Sequence, residues 1–231
     1  MQAVAPNLWI KQFPLSMLGG HQGRVVTVIR LASGPAAGKL IIHSTGPFEA
    51  GDVAEITALG TPGWLVDSML RHDTFAKEGR AAFPSIPYLA PEGFSREAGV
   101  ETLPLLPAPA EWGSEVRVLR IAGMPGAEEH VFLHAPTRTL IVADLVFNFD
   151  DTGGWTGFFR RWLMGVKQHP DAARLFPLLI KDRYAYDTSI TELMTWDFDR
   201  IIVGHNKPVE TNGRELLREA LERKGMLPRE L

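Results

Sequence analysis

"RIIVGHNKPVE", residues 200–210, is the stretch on which the fold turns. Ile201, Ile202 and Val203 form a short β-branched apolar run of the kind a buried strand takes, and Gly204 stops it. His205 follows at once on the loop, ahead of Asn206, Lys207 and Pro208. Proline fixes a backbone torsion, so the exit from this strand is stiff. A histidine placed there is either a plain polar loop residue or a ligand or catalytic group on a rigid strand end, where sites concentrate.

The chain on either side of this stretch completes a β-rich unit. "TNGRELLREALERKG" (211–225) predicts a closing helix: Asn212 and Glu215 fit a capping box, Leu216, Leu217, Ala220 and Leu221 make its buried face, and Gly225 stops it. Upstream, residues 155–196 read as helix in three pieces, broken at Pro170 and at "DRYAYD". Before them lie three strands, "SEVRVLRI" (114–121), "HVFLHA" (130–135) and "TLIVADLVF" (139–147). The last encloses Asp144. A carboxylate in an apolar run is costly unless hydrogen bonds, a cation or a proton compensates it. Asp144 therefore either accepts backbone N–H groups or serves as a metal ligand or catalytic carboxylate.

The first half repeats the mixture. "NLWIKQF", "VVTVIRL" (25–31) and "GKLIIHS" (38–44) read as strands, the last two as a hairpin around "ASGPAAG". "FEAGDVAEITALG" reads as a short amphipathic helix, "GWLVDSM" (63–69) as a strand, and "DTFAKEGRAAF" (73–83) as the helix behind it. "IPYLAP" is a short extended piece, and 91–113, rich in Pro, Gly and Ala, reads as surface loop.

At 231 residues, 45% hydrophobic and 22% charged, the chain is expected to be one domain over 1–231. A net charge of −3 gives no basic field for nucleic acid. Cysteine is absent, which excludes disulfides, thiolate metal sites and a Cys nucleophile. No signal peptide is evident, and no apolar run approaches the roughly 18 residues of a membrane span, so a cytoplasmic protein is expected.

Polar residues gather at strand ends: His43 and Ser44, Asp67 with Arg71, His72 and Asp73 just beyond it, Asp144, and His205. His72 alone reads as a helix cap. An Asp and two His at three strand ends form the ligand set of a zinc or iron hydrolytic site, provided the ends converge.

With those residues in place, the chain resembles the metallo-β-lactamase fold superfamily over nearly its whole length. The resemblance implies an α/β (α+β) four-layer αβ/βα sandwich, two mixed β-sheets flanked by helices, with metal ligands on loops at one edge. "IIHSTGP" matches an Asp-Thr-Gly strand end, with Ser44 in place of the acid. With "AAFP" (81–84) as the turn closing the helix of the His-x-His-x-Asp-His motif, the final His falls on His72. Asp67, Met69 and Arg71 then stand where the family has His, His and Asp. "IAGMPGAEEHVF" puts Met124 and Pro125 near the next ligand, with His130 further on. "LIVADLVF" assigns Asp144, and "IIVGHNKP" assigns His205.

What survives is a metal set of His72, Asp144 and His205, mainly the family's second position, in a degenerate branch. Two functions stay open. One is a metal-assisted hydrolase of an unknown small molecule, with one divalent ion (zinc, iron or manganese) and with Asp67, His72 and Asp144 as the catalytic set. Asp67 would be a fourth ligand or a base, and Lys207, Arg71 and Asn206 would orient substrate. The other is a non-catalytic binding or structural protein without metal, in which the three residues form a hydrogen-bonded cluster. "GGWTGFFRRWLMGVKQHP" (153–170) reads as a core helix, with a homodimer contact, a lid and a membrane-surface helix as its other uses.

Overall fold

The structure, a computed structural model, describes residues 1–17, 20–150, 153–167 and 170–229. Strands β1 (Gln2–Ala5), β2 (Leu8–Phe13), the short pair β3 (Ser16–Met17) and β4 (Gly20–His21), β5 (Arg24–Arg30) and β6 (Lys39–His43) precede helix α1 (Ala50–Thr57). Then come β7 (Thr61–Val66), a 3-10 turn at Leu70–Phe75, α2 (Ala76–Ala82), β8 (Tyr88–Ala90), α3 (Phe94–Ala98) and β9 (Leu103–Pro104). The second half holds β10 (Val116–Arg120), β11 (His130–His134), β12 (Thr139–Ile141), α4 (Gly154–Phe158), α5 (Arg183–Met194), β13 (Arg200–Ile202) and α6 (Gly213–Arg223).

One sheet has seven strands in the order β1-β2-β5-β6-β7-β8-β9, and the other has four in the order β10-β11-β12-β13. Both are mixed: β5 and β6 pair antiparallel as the expected hairpin, β6 and β7 parallel, β10 and β11 antiparallel, β12 and β13 parallel.

Alternation along the strands builds the layers. Ile41 joins Phe132, Ile141 and Ile202 in a core between the sheets. Its neighbours Leu40 and Ile42 face the other way, packing with Ile56, Ala76 and Phe94 of the helices beyond the large sheet. On the small sheet Leu133, Leu140 and Ile201 pack outward against Tyr186, Ile190, Leu217 and Leu221 of α5 and α6. Helix, sheet, sheet, helix is the expected four-layer αβ/βα sandwich. Among the described residues no helix is long and apolar enough to cross a membrane.

Several local expectations are corrected. The strand holding Asp144 ends at Ile141, and residues 142–147 continue as a buried loop because it crosses the sheet edge into core. Residues 91–113 run largely over the surface as expected, but Leu105 and Trp112, each 1% exposed, plug the inter-sheet core. "DRYAYD" is the first turn of α5, not a break, since Asp182 caps it by accepting the Ala185 N–H at 3.0 Å. The capping box of α6 does not form. Asn212 has φ 57°, and Asp199 does the capping, accepting the Asn212 N–H at 2.8 Å on its carboxylate and the Gly213 N–H at 2.6 Å on its carbonyl. Gly225 does end that helix, with φ 65°.

The aromatic segment is not a core helix. α4 and the turn Phe159–Leu163 pack on the β3–β4 ribbon instead of a sheet, so Phe159 and Arg160 are buried while Trp155, Phe158, Trp162 and Leu163 are about half exposed. Gln168 and His169 of the expected segment lie outside the described residues.

Candidate metal centre

β12 and β13 run parallel with Ile141 opposite Ile202, so the loops bearing Asp144 and His205 leave the sheet at one edge. Gly204 fastens them: its N–H donates to the Ala143 carbonyl at 3.0 Å, and its own carbonyl accepts the Val25 N–H at 2.9 Å from the opposite sheet. His72 arrives from the large sheet, in the 3-10 turn that follows β7.

The three residues meet. One oxygen of Asp144, Oδ1, stands 3.2 Å from His72 Nε2 and 3.1 Å from His205 Nε2. The three potential ligand atoms lie within 4.8 Å of one another. The two rings are 5.3 Å apart at 75°. His205 Nδ1 lies 2.6 Å from the Gly23 carbonyl. A carbonyl only accepts, so Nδ1 carries the proton, and a neutral His205 turns the Nε2 lone pair toward a carboxylate oxygen. Two lone pairs repel at that distance unless a proton or a cation lies between them.

A divalent ion fits this donor set. Two imidazole nitrogens and a carboxylate oxygen suit zinc or iron, and a backbone carbonyl fixing the far ring nitrogen is the usual support of a ligating histidine. Three protein ligands leave a coordination position open for water or substrate.

The electrostatics agree. Burial, and then the charge of Arg24, push His72 down to about 4 against the pull of Asp144, so the ring is neutral near pH 7 as a ligand must be. Burial works to raise Asp144, and what holds its carboxyl below the usual range is positive charge and donated hydrogen bonds at His72 and His205, which neutral rings leave to a bound cation.

Glu129 was not singled out by sequence, yet it shapes the site. It is 1% exposed, and its Oε1 accepts the N–H groups of Ala143, Asp144 and Leu145 at 2.9, 3.2 and 3.2 Å. Its only sequence mark is the pair "EE" before β11, and Glu128 beside it forms a surface pair with Arg120. Phe147 stacks on His205, with centroids 5.8 Å apart at 18°.

The other expected residues do not join the group. Asp67 is fully buried, with Oδ1 accepting the Thr45 N–H and Oδ2 accepting the hydroxyls of Thr45 and Tyr88. Burial pushes its carboxyl up to about 6, against the charge of Arg24 and these bonds. Met69 and Met124 are buried in the helix-facing core of the small sheet. Arg71 donates to the Gly126 carbonyl at 2.9 Å. Lys207 pairs with Asp150 at 2.6 Å, the carbonyl of Asn206 accepts from Gln12 at 2.7 Å, and His130 contacts the Glu128 carbonyl.

No family model and no curated protein sequence matches the chain. Solved structures do. The metallo-β-lactamase from Erythrobacter litoralis superposes with a TM-score of 0.65 at 12% identity, covering 96% of this chain and 95% of that one. The enzyme from Hirschia baltica gives 0.63 at 13%, covering 97% and 96%. FIM-1 from Pseudomonas aeruginosa, solved in a mono-zinc form, gives 0.61 at 14%, covering 98% and 95%. With two mixed sheets, helices on both outer faces and the His-Asp-His group at their shared edge, the chain has the metallo-β-lactamase fold.

Proposed function

We propose that the protein is a hydrolase of a small molecule that works with one divalent metal ion held by His72, Asp144 and His205. The observation carrying this reading is the geometry at Asp144 Oδ1, which stands 3.2 Å from His72 Nε2 and 3.1 Å from His205 Nε2 while the Gly23 carbonyl holds the far nitrogen of His205. A bound divalent ion there would polarise a carbonyl or phosphoryl oxygen and acidify water.

The chain's own groups then divide the work. Gly23 fixes the His205 tautomer, Glu129 holds the loop that presents Asp144, and Phe147 covers one face of the His205 ring. Asp144 is the member that reaches solvent, with its side chain 17% exposed against 4% and 8% for His72 and His205, so substrate approaches on its side. With both oxygens of Asp67 engaged, we assign that residue to holding the turn at Thr45 rather than to base catalysis.

Metal analysis of protein purified without added metal is the test, repeated on Asp144→Ala and His205→Ala. Near-stoichiometric metal, lost in both variants, is expected. Substoichiometric metal that neither substitution changes would instead identify a non-catalytic member, and the burial of Met69 and Met124 where the fold's relatives would place ligands favours that second reading.

A further inference from the structure

Of the ten large apolar side chains that lie exposed among the described residues, six fall between 155 and 178: Trp155, Phe158, Trp162, Leu163, Leu175 and Leu178. Each is between 46% and 66% exposed, and such a concentration marks a surface that meets something. Positions 155, 158 and 162 recur at helical spacing, so the three rings share one face of α4 and the turn after it. Trp155 and Phe158 stack at 5.5 Å. The Met164 carbonyl accepts the Arg174 N–H at 2.8 Å and brings the stretch with Leu175 and Leu178 against this segment.

The opposite face is already engaged. Phe159 is buried at the β3–β4 ribbon, where a β-carbon on Gly20 would stand 2.9 Å from its ring. Arg160 stacks its guanidinium on Phe149 at 4.1 Å and donates to the His21 carbonyl. The three rings cannot turn inward without breaking those contacts.

The exposed charge around the patch has one sign. Arg161, Lys167 and Arg174 are exposed in the same segment, and Lys167 Nζ lies 5.4 Å from the Trp162 ring centre. Asp171 is the only acidic residue between 153 and 181, and it is buried against Lys224. At the edge of the segment Asp150 pairs with Lys207. A second copy docking about a two-fold axis would set this patch on itself and bring bases against bases. An anionic bilayer satisfies both features, since indole rings and leucines enter the headgroup boundary while Arg and Lys stems reach back to phosphates.

We propose that the exposed face of α4 and the turn after it, with Leu175 and Leu178 beside it, docks the protein on the surface of anionic phospholipid membranes. Trp155, Phe158 and Trp162 insert, and Arg161, Lys167 and Arg174 meet the headgroups. Docking of this kind needs no metal and is independent of the hydrolase reading.

Flotation of the full chain with vesicles is the test. At low salt it should bind vesicles of equimolar phosphatidylcholine and phosphatidylglycerol at least about tenfold more tightly than phosphatidylcholine alone, and added salt should shrink the difference. Phe158→Ala with Trp162→Ala, and separately Lys167→Glu with Arg174→Glu, should each weaken binding to the anionic vesicles at least about tenfold. All four side chains are exposed, and circular dichroism checks that both variants fold. If either pair misfolds, Trp162→Ala or Arg174→Glu alone replaces it, with a loss of about threefold. No binding by wild type, equal binding to both kinds of vesicle, or anionic binding that either variant leaves unchanged would overturn the assignment. Self-association without vesicles, abolished by Phe158→Ala with Trp162→Ala, would give the face to a second copy instead.

Discussion

A β-carbon on residue 204 would stand 2.9 Å from Cε1 of His72, so Gly204 and the His72 ring adjoin with no space between them. The same carbon would lie 2.6 Å from the Ala143 carbonyl oxygen. The glycine that ends the strand is therefore required by the site. In Gly204→Ala either the ring or the Asp144 loop must shift. Overpacking of this kind costs about 1–3 kcal/mol, and a displaced ligand should weaken metal binding at least about tenfold. Urea unfolding and zinc titration read the two effects, and a variant with wild-type zinc affinity would show that the loop yields freely.

Glu129 separates charge from shape. Burial and the nearby Asp144 push its carboxyl up to about 8 against three N–H donors, so at pH 7 the neutral acid predominates. Glutamine mimics that form and keeps the accepting oxygen. Glu129→Gln should stay within about 1 kcal/mol of wild type, whereas Glu129→Ala strands three buried donors and should cost about 3 kcal/mol or more. Equal losses in both variants would mean that the ionised carboxylate holds the loop.

The acid side of the stability curve should carry the signature of His43. This ring sits between the sheets against Phe132, centroids 4.8 Å apart, and its Nε2 is buried without a partner. Burial, with His72 and Arg24 adding to it, pushes its pKa from 6.5 down to about 3. The native state then binds fewer protons than the unfolded chain, so the contribution is complete above pH 6.5 and is lost as pH falls toward 3. The loss amounts to at most one proton, or about 1.4 kcal/mol per pH unit. Asp67 and Glu129, whose pKa values are raised, act with the opposite sign. The difference between wild type and His43→Leu isolates the histidine, and the variant's curve should be flatter between pH 6 and about 4. Parallel curves would mean that the ring is protonated in the native protein.

The fold was legible because its signals are local. Strand alternation, the hairpin around "ASGPAAG" and the Gly-His strand end each depend on a few adjacent residues, and the three residues of the candidate centre stand near strand ends, with His72 singled out as a ligand by the family resemblance. The misses have a common physical cause. Arg24 and Arg30 terminate one strand and look alike in sequence, but only tertiary packing decides that Arg24 is 1% exposed while Arg30 is not buried. Glu129 is likewise indistinguishable from its exposed-pair neighbour Glu128 until the Asp144 loop folds over it. "DRYAYD" looked like a breaker because its charges hide a capping Asp182, and the Trp-rich segment looked like core because aromatic content carries no information about which face finds a partner.

Phe147, which stacks on His205, is itself held by Asp171. The two residues exchange backbone hydrogen bonds at 2.9 Å in each direction. Asp171 is 1% exposed, and its carboxylate accepts from Lys224 Nζ at 2.9 Å and from the N–H groups of Lys167 and Ala172, each at 3.1 Å. Removing one member of a buried ion pair leaves the other charge uncompensated, so Asp171→Ala should cost about 3–5 kcal/mol. Asp171→Asn keeps an accepting oxygen for the backbone but leaves Lys224 without its anion, and should fall between alanine and wild type. Lys224→Met, which removes the nearer of the two cations (Arg223 Nε lies 3.6 Å from the carboxylate), should recover part of the asparagine variant's loss when the two are combined. Urea unfolding of the four proteins closes the double-mutant cycle. Simple additivity would show that the pair contributes nothing beyond its separate contacts and that the shelf beneath Phe147 rests on the backbone alone.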